Sequence, residues 1–213
     1  MPEPDSPTRK RIIEAASKLF YGEGIRAVSV DAVAQKAGVT KRTLYYHFES
    51  KDALVAAYLE ARDQPNLKLM ASWFDKAEGA LPQKIEAIFQ NLARSARHPR
   101  WKGCGFLRTA AELANLPGHP AIRIGARHKA GFERWLAGEC ASHGVAAPDE
   151  LARQVVLLMD GAFSVMLVHR DPAYVEAAGR AAAALAAQQR VEDQPGRPSV
   201  PATASLAPSA SDQ

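Results

Sequence analysis

Apolar positions recur along most of this chain at intervals of three and four, the spacing that lines one face of an α-helix. Ile12, Ala16, Leu19 and Phe20 form the first such stripe. It predicts a helix from about Arg9 to Tyr21, ended by Gly22 and Gly24. Val30, Val33, Ala34 and Ala37 share a face of a short second helix, with Ser29 placed to cap it and Asp31 in its first turn. Gly38 stands where the chain would leave that helix through a left-handed conformation. Thr40 then caps a third helix whose Leu44 and Phe48 point inward, while Ile25 and Val28 pack beneath the pair.

Ser50 caps a fourth helix with Asp52 in its first turn and Leu54, Ala57, Tyr58 and Ala61 facing inward. Pro65 is expected to kink or interrupt it, and the pattern resumes over 67–77 with Leu69, Met70, Trp73 and Phe74. Further helices are predicted at Leu81–Ala96, Cys104–Leu116, Ala121–Ser142, Pro148–His169 and Ala173–Arg190, separated by proline- and glycine-bearing breaks. No stretch alternates with period two between turn signals. The expected fold class is therefore all-α, with about nine or ten helices. The ends differ in composition: residues 1–8 hold three prolines and residues 191–213 four, among alanines and serines. Both are expected to be disordered, the first as an arm and the second as a tail.

The third helix carries the first sign of chemistry. Lys41, Arg42, Thr43, Tyr45, Tyr46 and His47 are left outward once Leu44 and Phe48 turn in. Two cations, hydroxyls and an imidazole on so short a helix are the groups that grip phosphates and reach base edges in a major groove. Charge along the chain agrees. Residues 9–47 carry eight lysines and arginines against three carboxylates, a balance of +5 that exceeds the +4 of the whole chain. A local basic surface of this kind is the footprint of phosphate binding.

Together these features resemble the TetR-type transcriptional regulators over roughly residues 9–60. The resemblance rests on the amphipathic first helix, the Val30-Asp31-x-Val33-Ala34-x-x-Ala37-Gly38-Val39 segment, the Thr43-Leu44-Tyr45-Tyr46-His47-Phe48 helix and the Ser50-Lys51-Asp52-Ala53-Leu54 entry into the next. It implies a three-helix helix-turn-helix domain at residues 9–52, followed by a larger helical ligand-binding and dimerisation domain at residues 53–190. It also implies that Thr40, Lys41, Arg42, Thr43, Tyr45, Tyr46 and His47 face double-stranded DNA. Arg42 is the candidate for bidentate guanine readout. Tyr45, Tyr46, His47 and Lys51 are candidates for phosphate contacts, with Ser29 reaching a phosphate from the start of the second helix. Helix 4 is implied to be the lever between the two domains.

For the larger domain, the resemblance implies a small-molecule pocket within the aromatic-rich interior. Candidate lining residues are Trp73, Phe74, Phe89, Trp101, Phe106, His128, Phe132, Met159 and Phe163. An aromatic stripe at helical spacing also serves simply as core, and His128 on the stripe of Ile124 and Phe132 also suits a satisfied core histidine. Asp160 and Glu112 are the other polar groups near apolar runs. The resemblance also implies that the last two helices meet a second copy of the chain in a four-helix bundle, through Leu151, Val155, Leu158, Ala162, Ala181 and Leu185.

Composition narrows the remaining possibilities. The two cysteines, Cys104 and Cys140, make no disulfide framework and fit a reducing compartment. An inert buried thiol is the expected state of Cys104. The apolar run Val155–Val168 is too short to span a bilayer and contains Asp160, so no membrane partner is expected. Residues 1–8 lack the basic-then-apolar plan of a signal peptide. His, Cys and carboxylate positions show no metal-ligand spacing, no glycine-rich phosphate loop follows a strand, and no nucleophile has a recognisable elbow. An enzyme, a metal site and a cofactor are thus not expected. The expected protein is a cytoplasmic homodimeric repressor that binds a near-palindromic operator and is released by an apolar or aromatic effector. The alternative is a constitutive DNA-binding protein with a filled interior and no ligand.

Overall fold

The computed structural model describes residues 6–189. Among these residues there are nine helices and no strand: α1 (Pro7–Glu23), α2 (Val30–Ala37), α3 (Lys41–His47), α4 (Lys51–Asp75), α5 (Leu81–Ala96), α6 (Gly105–Glu112), α7 (Pro120–Ser142), α8 (Pro148–His169) and α9 (Ala173–Gln188). The all-α expectation holds. The expected tail at 191–213, and the arm up to residue 5, lie outside the described residues. The last two residues of the expected arm belong to α1: Ser6 caps it by accepting from Arg9 N, and Pro7 opens the helix where its missing N–H is not needed.

The short helices start and stop where their local chemistry directs. Ser29, Thr40 and Ser50 each accept a hydrogen bond from the backbone N–H three residues on. Gly38 ends α2 at φ 64°, a left-handed conformation in which a Cβ would be strained.

α4 departs from expectation. It is one 25-residue helix with Pro65 inside it, about 37 Å long at 1.5 Å per residue. Pro65 removes one backbone donor, but both Pro65 and Ala61, whose carbonyl loses its partner, are exposed, so water can take that carbonyl. Burial of Met70 and Phe74 further along anchors the second half in the core.

Two cores share α4. The N-terminal core joins Ile12, Ala16 and Phe20 of α1, Val33, Ala37 and Leu44 of α2 and α3, and Leu54, Val55, Tyr58 and Leu59 of α4. Phe106 and Leu113 from the α6 segment and Ala121 and Ile124 of α7 complete it. The second core gathers the rest of α4 with α5, α7, α8 and α9 around Phe74, Phe89, Phe132, Leu136, Val155, Met159 and Phe163. α8 is, by length and composition alone, apolar enough to cross a bilayer, contrary to the reading of its shorter run. Here its Leu151, Val155, Met159, Phe163 and Met166 are buried against neighbouring helices, and its Asp160 pairs with Lys129 of α7. The surplus apolar surface lies on its outer face.

Candidate functional sites

The first site is the surface of α3. Leu44 is buried and anchors the helix, leaving Lys41, Arg42, Tyr45 and Tyr46 exposed, the tyrosines by 44% and 65%. Tyr45 is thus not simply a packed aromatic. Lys41 Nζ donates to Asp31 Oδ2 at 3.0 Å, which ties α3 to the first turn of α2 and raises the Lys41 pKa. Arg42 has no ion-pair partner among the described residues. The hydroxyls of Ser29 and Thr40 are engaged in capping, and those of Thr40 and Thr43 bond each other at 2.8 Å. His47 is half-buried, edge-on to Tyr46 at 5.3 Å, and its Nδ1 has no partner among the described residues. Lys51 is half-buried in the first turn of α4. The predicted residues therefore gather on and beside one helix. Those free to meet a ligand are chiefly Arg42, Tyr45 and Tyr46.

The α6 segment bonds to α1 and to the loop that follows it. Glu112, considered above as a polar group near apolar runs, instead accepts from Arg26 N at 3.0 Å, while Arg26 Nη2 donates to Asn115 at 2.7 Å. Arg108 Nη1 donates to the Tyr21 carbonyl at 2.7 Å, close to the end of α1.

The second site is a cavity of about 210 Å³ between α1, α4, α5, α6, α7 and α8. Six of the nine predicted lining residues surround it: Trp73, Trp101, His128, Phe132, Met159 and Phe163. Phe74, Phe89 and Phe106 do not. Phe74 is enclosed by Trp135 and His143, Phe89 lies beneath α9, and Phe106 stacks on the far side of His128 at 3.8 Å. All three are fully buried, so their apolar surface is spent on neighbouring helices. Cys104 lines the cavity and is partly exposed, whereas Cys140 is the inert buried thiol, its pKa pushed up to about 11 by burial.

Sequence reasoning missed Arg62, Asn66, Leu69 and Met70 of α4, together with Tyr21, Leu92, Ser95 and Lys129. The α4 set was legible in principle. Arg62, Asn66, Leu69, Met70 and Trp73 follow helical spacing, and splitting the helix at Pro65 hid the stripe.

Polar groups on the wall fall into two kinds. Some are matched: His128 Nδ1 lies 2.7 Å from Asp63 Oδ1, and Lys129 bonds Asp160. His128 is only 4% exposed, and its burial lowers its pKa more than Asp63 raises it, so we assign a neutral ring donating from Nδ1. Arg62 is not matched. Its guanidinium lies over the rings of Tyr21 at 4.8 Å and Tyr58 at 5.8 Å, its Nε is buried without a partner, and it has no ion pair among the described residues.

The third feature is an apolar groove between α8 and α9, lined by Gln154, Leu157, Leu158, Gly161, Ala162, Val165, Tyr174, Ala178 and Leu185. Of the six predicted interface residues, Leu158, Ala162 and Leu185 line it. Leu151 and Val155 are buried in the chain's own core, and Ala181 is exposed outside the groove. The outward row is shifted by one position, and Leu157 and Val168 are 67% and 76% exposed.

Residues 12–58 match the model of the bacterial regulatory proteins, tetR family. The chain is 41% identical over 58 residues to the HTH-type transcriptional regulator SrpR of Pseudomonas putida, covering 27% of each protein. It spans 27% to 46% of the length of the first curated relatives it matches. Structural likeness extends further. SCO4454, a TetR-family transcriptional regulator from Streptomyces coelicolor, superposes with a TM-score of 0.73 at 28% identity, covering 88% of this chain and 96% of that one. A TetR-type regulator of Streptomyces avermitilis gives 0.69 at 30% identity, covering 83% and 98%.

Proposed function

The chain belongs to the TetR family of bacterial regulatory proteins, and on that premise we propose that it is a homodimeric, effector-released repressor acting in the cytoplasm. In this reading each subunit lays α3 in one of two successive major grooves, about 34–36 Å apart, so the operator is near-palindromic. Arg42 reads a base edge, while Tyr45, Tyr46, His47 and Lys51 hold phosphates and set register. The second copy covers the α8–α9 groove, burying Leu157, Leu158 and Val165, which would otherwise stay in contact with water.

The observation that carries the proposal is α4. Its first turns supply Leu54, Val55 and Tyr58 to the core beneath the reader, and its later turns supply Arg62, Asn66, Met70 and Trp73 to the cavity wall. A molecule filling the cavity therefore presses on the helix that seats the reader. An effector with higher affinity for the conformer in which the two readers are misplaced lowers DNA affinity by that difference. A constitutive DNA-binding protein would have its interior filled, and the cavity of about 210 Å³ favours the effector reading over it.

The test is selection from a random duplex library by the purified protein at moderate salt, followed by sequencing. An inverted repeat with half-sites one helical turn apart is expected. Retention of DNA without sequence preference, fading as salt rises, would leave only phosphate attraction and overturn the proposal.

A further inference from the structure

We propose that the cavity takes an anionic effector, an aromatic or apolar body bearing one acid group, and that Arg62 holds the acid. This rests on reading the cavity as the effector site. Among the described residues its wall contains two cations, Arg62 and Lys129, and no carboxylate. Lys129 is answered by Asp160 of α8. Among the described residues, Arg62 is answered only by the faces of two tyrosines, with its Nε buried and unbonded. A guanidinium taken partly out of water, with no counter-charge, is costly unless a ligand supplies one. Its planar fork suits a carboxylate oxygen pair.

The surroundings favour the same charge. Gly103, Cys104 and Gly105 line the cavity, and they lead into α6, whose N-terminus has no side-chain cap. The first amides of that helix therefore add positive potential on the side where Arg62 lies. Gly105 keeps the approach close: a Cβ there would stand 2.9 Å from Tyr58 Oη and 3.7 Å from Arg62 Nε. The rest of the lining, with Trp73, Trp101, Phe132, Met159 and Phe163, is largely apolar and fits a ring system. The acid end of the ligand would thus touch α1, α4 and the start of α6 at once, all of which pack into the core beneath the reader.

The experiment is calorimetric titration of the full-length protein with 1-naphthoate and with its neutral isostere 1-naphthamide. Wild-type protein is expected to bind the acid at least about tenfold more tightly. Arg62→Met should weaken the acid by about that factor and leave the amide unchanged, and Arg62→Lys should keep part of the preference. Lys129→Met combined with Asp160→Asn, which removes the pair without leaving a lone carboxylate beside the cavity, should leave the preference intact. Equal affinity of wild-type protein for both compounds would overturn the anion assignment while leaving the cavity as an apolar site. So would equal loss of both on Arg62→Met, or a preference that follows Lys129. Binding of neither compound up to about 1 mM would overturn the cavity reading and this proposal with it. The wild-type comparison needs no variant, so an Arg62→Met protein that fails to fold still leaves a decision.

Discussion

Replacing Gly179 by alanine sets two effects of known sign against each other. Gly179 lies inside α9, where alanine is preferred over glycine by about 1 kcal/mol. An alanine Cβ at this position, however, would stand 2.6 Å from Cβ of Phe89 and 3.2 Å from its Cγ. Carbon atoms pack best at about 3.5–4.0 Å, so α5 and α9 would have to part by roughly 1 Å. Overpacking of this kind costs about 1–3 kcal/mol, and parting the helices also loosens Val175, Ala182 and Ala186, which are wholly buried along the same helix. We expect Gly179→Ala to lose roughly 1–2 kcal/mol net, with the steric effect prevailing. Because the clash is with Cβ of Phe89, Phe89→Leu should not relieve it, and the double variant should be less stable than either single one. Urea unfolding followed by circular dichroism at fixed protein concentration measures this as a shift in midpoint at unchanged slope. An alanine variant more stable than the glycine protein would refute the close approach of α5 and α9.

Three other predictions concern function and pH. Arg42→Ala should weaken operator binding roughly ten- to a hundredfold and relax base preference at one position per half-site, while Tyr46→Ala should weaken operator and random DNA alike; a repeat of the duplex selection with each variant decides, and an unchanged Arg42→Ala profile would remove Arg42 from base reading. Leu157→Glu, at a residue 67% exposed in the single chain, should convert a dimer to a folded monomer in sedimentation, and a persistent dimer would place the interface elsewhere. His128 is held below its ordinary pKa by burial, so the unfolded chain takes up its proton first as pH falls. Stability should therefore be full above about pH 6.5 and decline below it, by at most about 1.4 kcal/mol per pH unit from this group, until the folded-state pKa is reached. His128→Asn should flatten that part of the urea-midpoint profile between pH 5 and 7.

The secondary structure was legible wherever its cause is local. Ser29, Thr40 and Ser50 cap helices because their oxygens reach an amide three residues on, and Gly38 ends α2 because its φ of 64° strains any Cβ. Pro148 and His169 bound α8 where the sequence places them, since proline suits a first turn and Asp171-Pro172 follows the last. The outward residues of α3 could be named for the same reason: once Leu44 and Phe48 turn in, a seven-residue helix has few other directions for its polar groups.

Tertiary structure decided whatever depends on partners distant in the chain. Pro65 reads as a break, yet packing of Met70 and Phe74 in the second core carries α4 past it and brings Arg62, Asn66, Leu69 and Trp73 onto one wall. Phe74, Phe89 and Phe106 have the composition of cavity residues, but their rings were already occupied by α7, α9 and His128. α8 is apolar over most of its circumference, so its periodicity could not say which row faces inward. Only the packing of α7 and α9 against it buries Leu151 and Val155 and leaves Leu157 exposed and Val165 partly covered. An unpaired Arg62 is likewise invisible in sequence, because a missing counter-charge is a property of everything that folds around it.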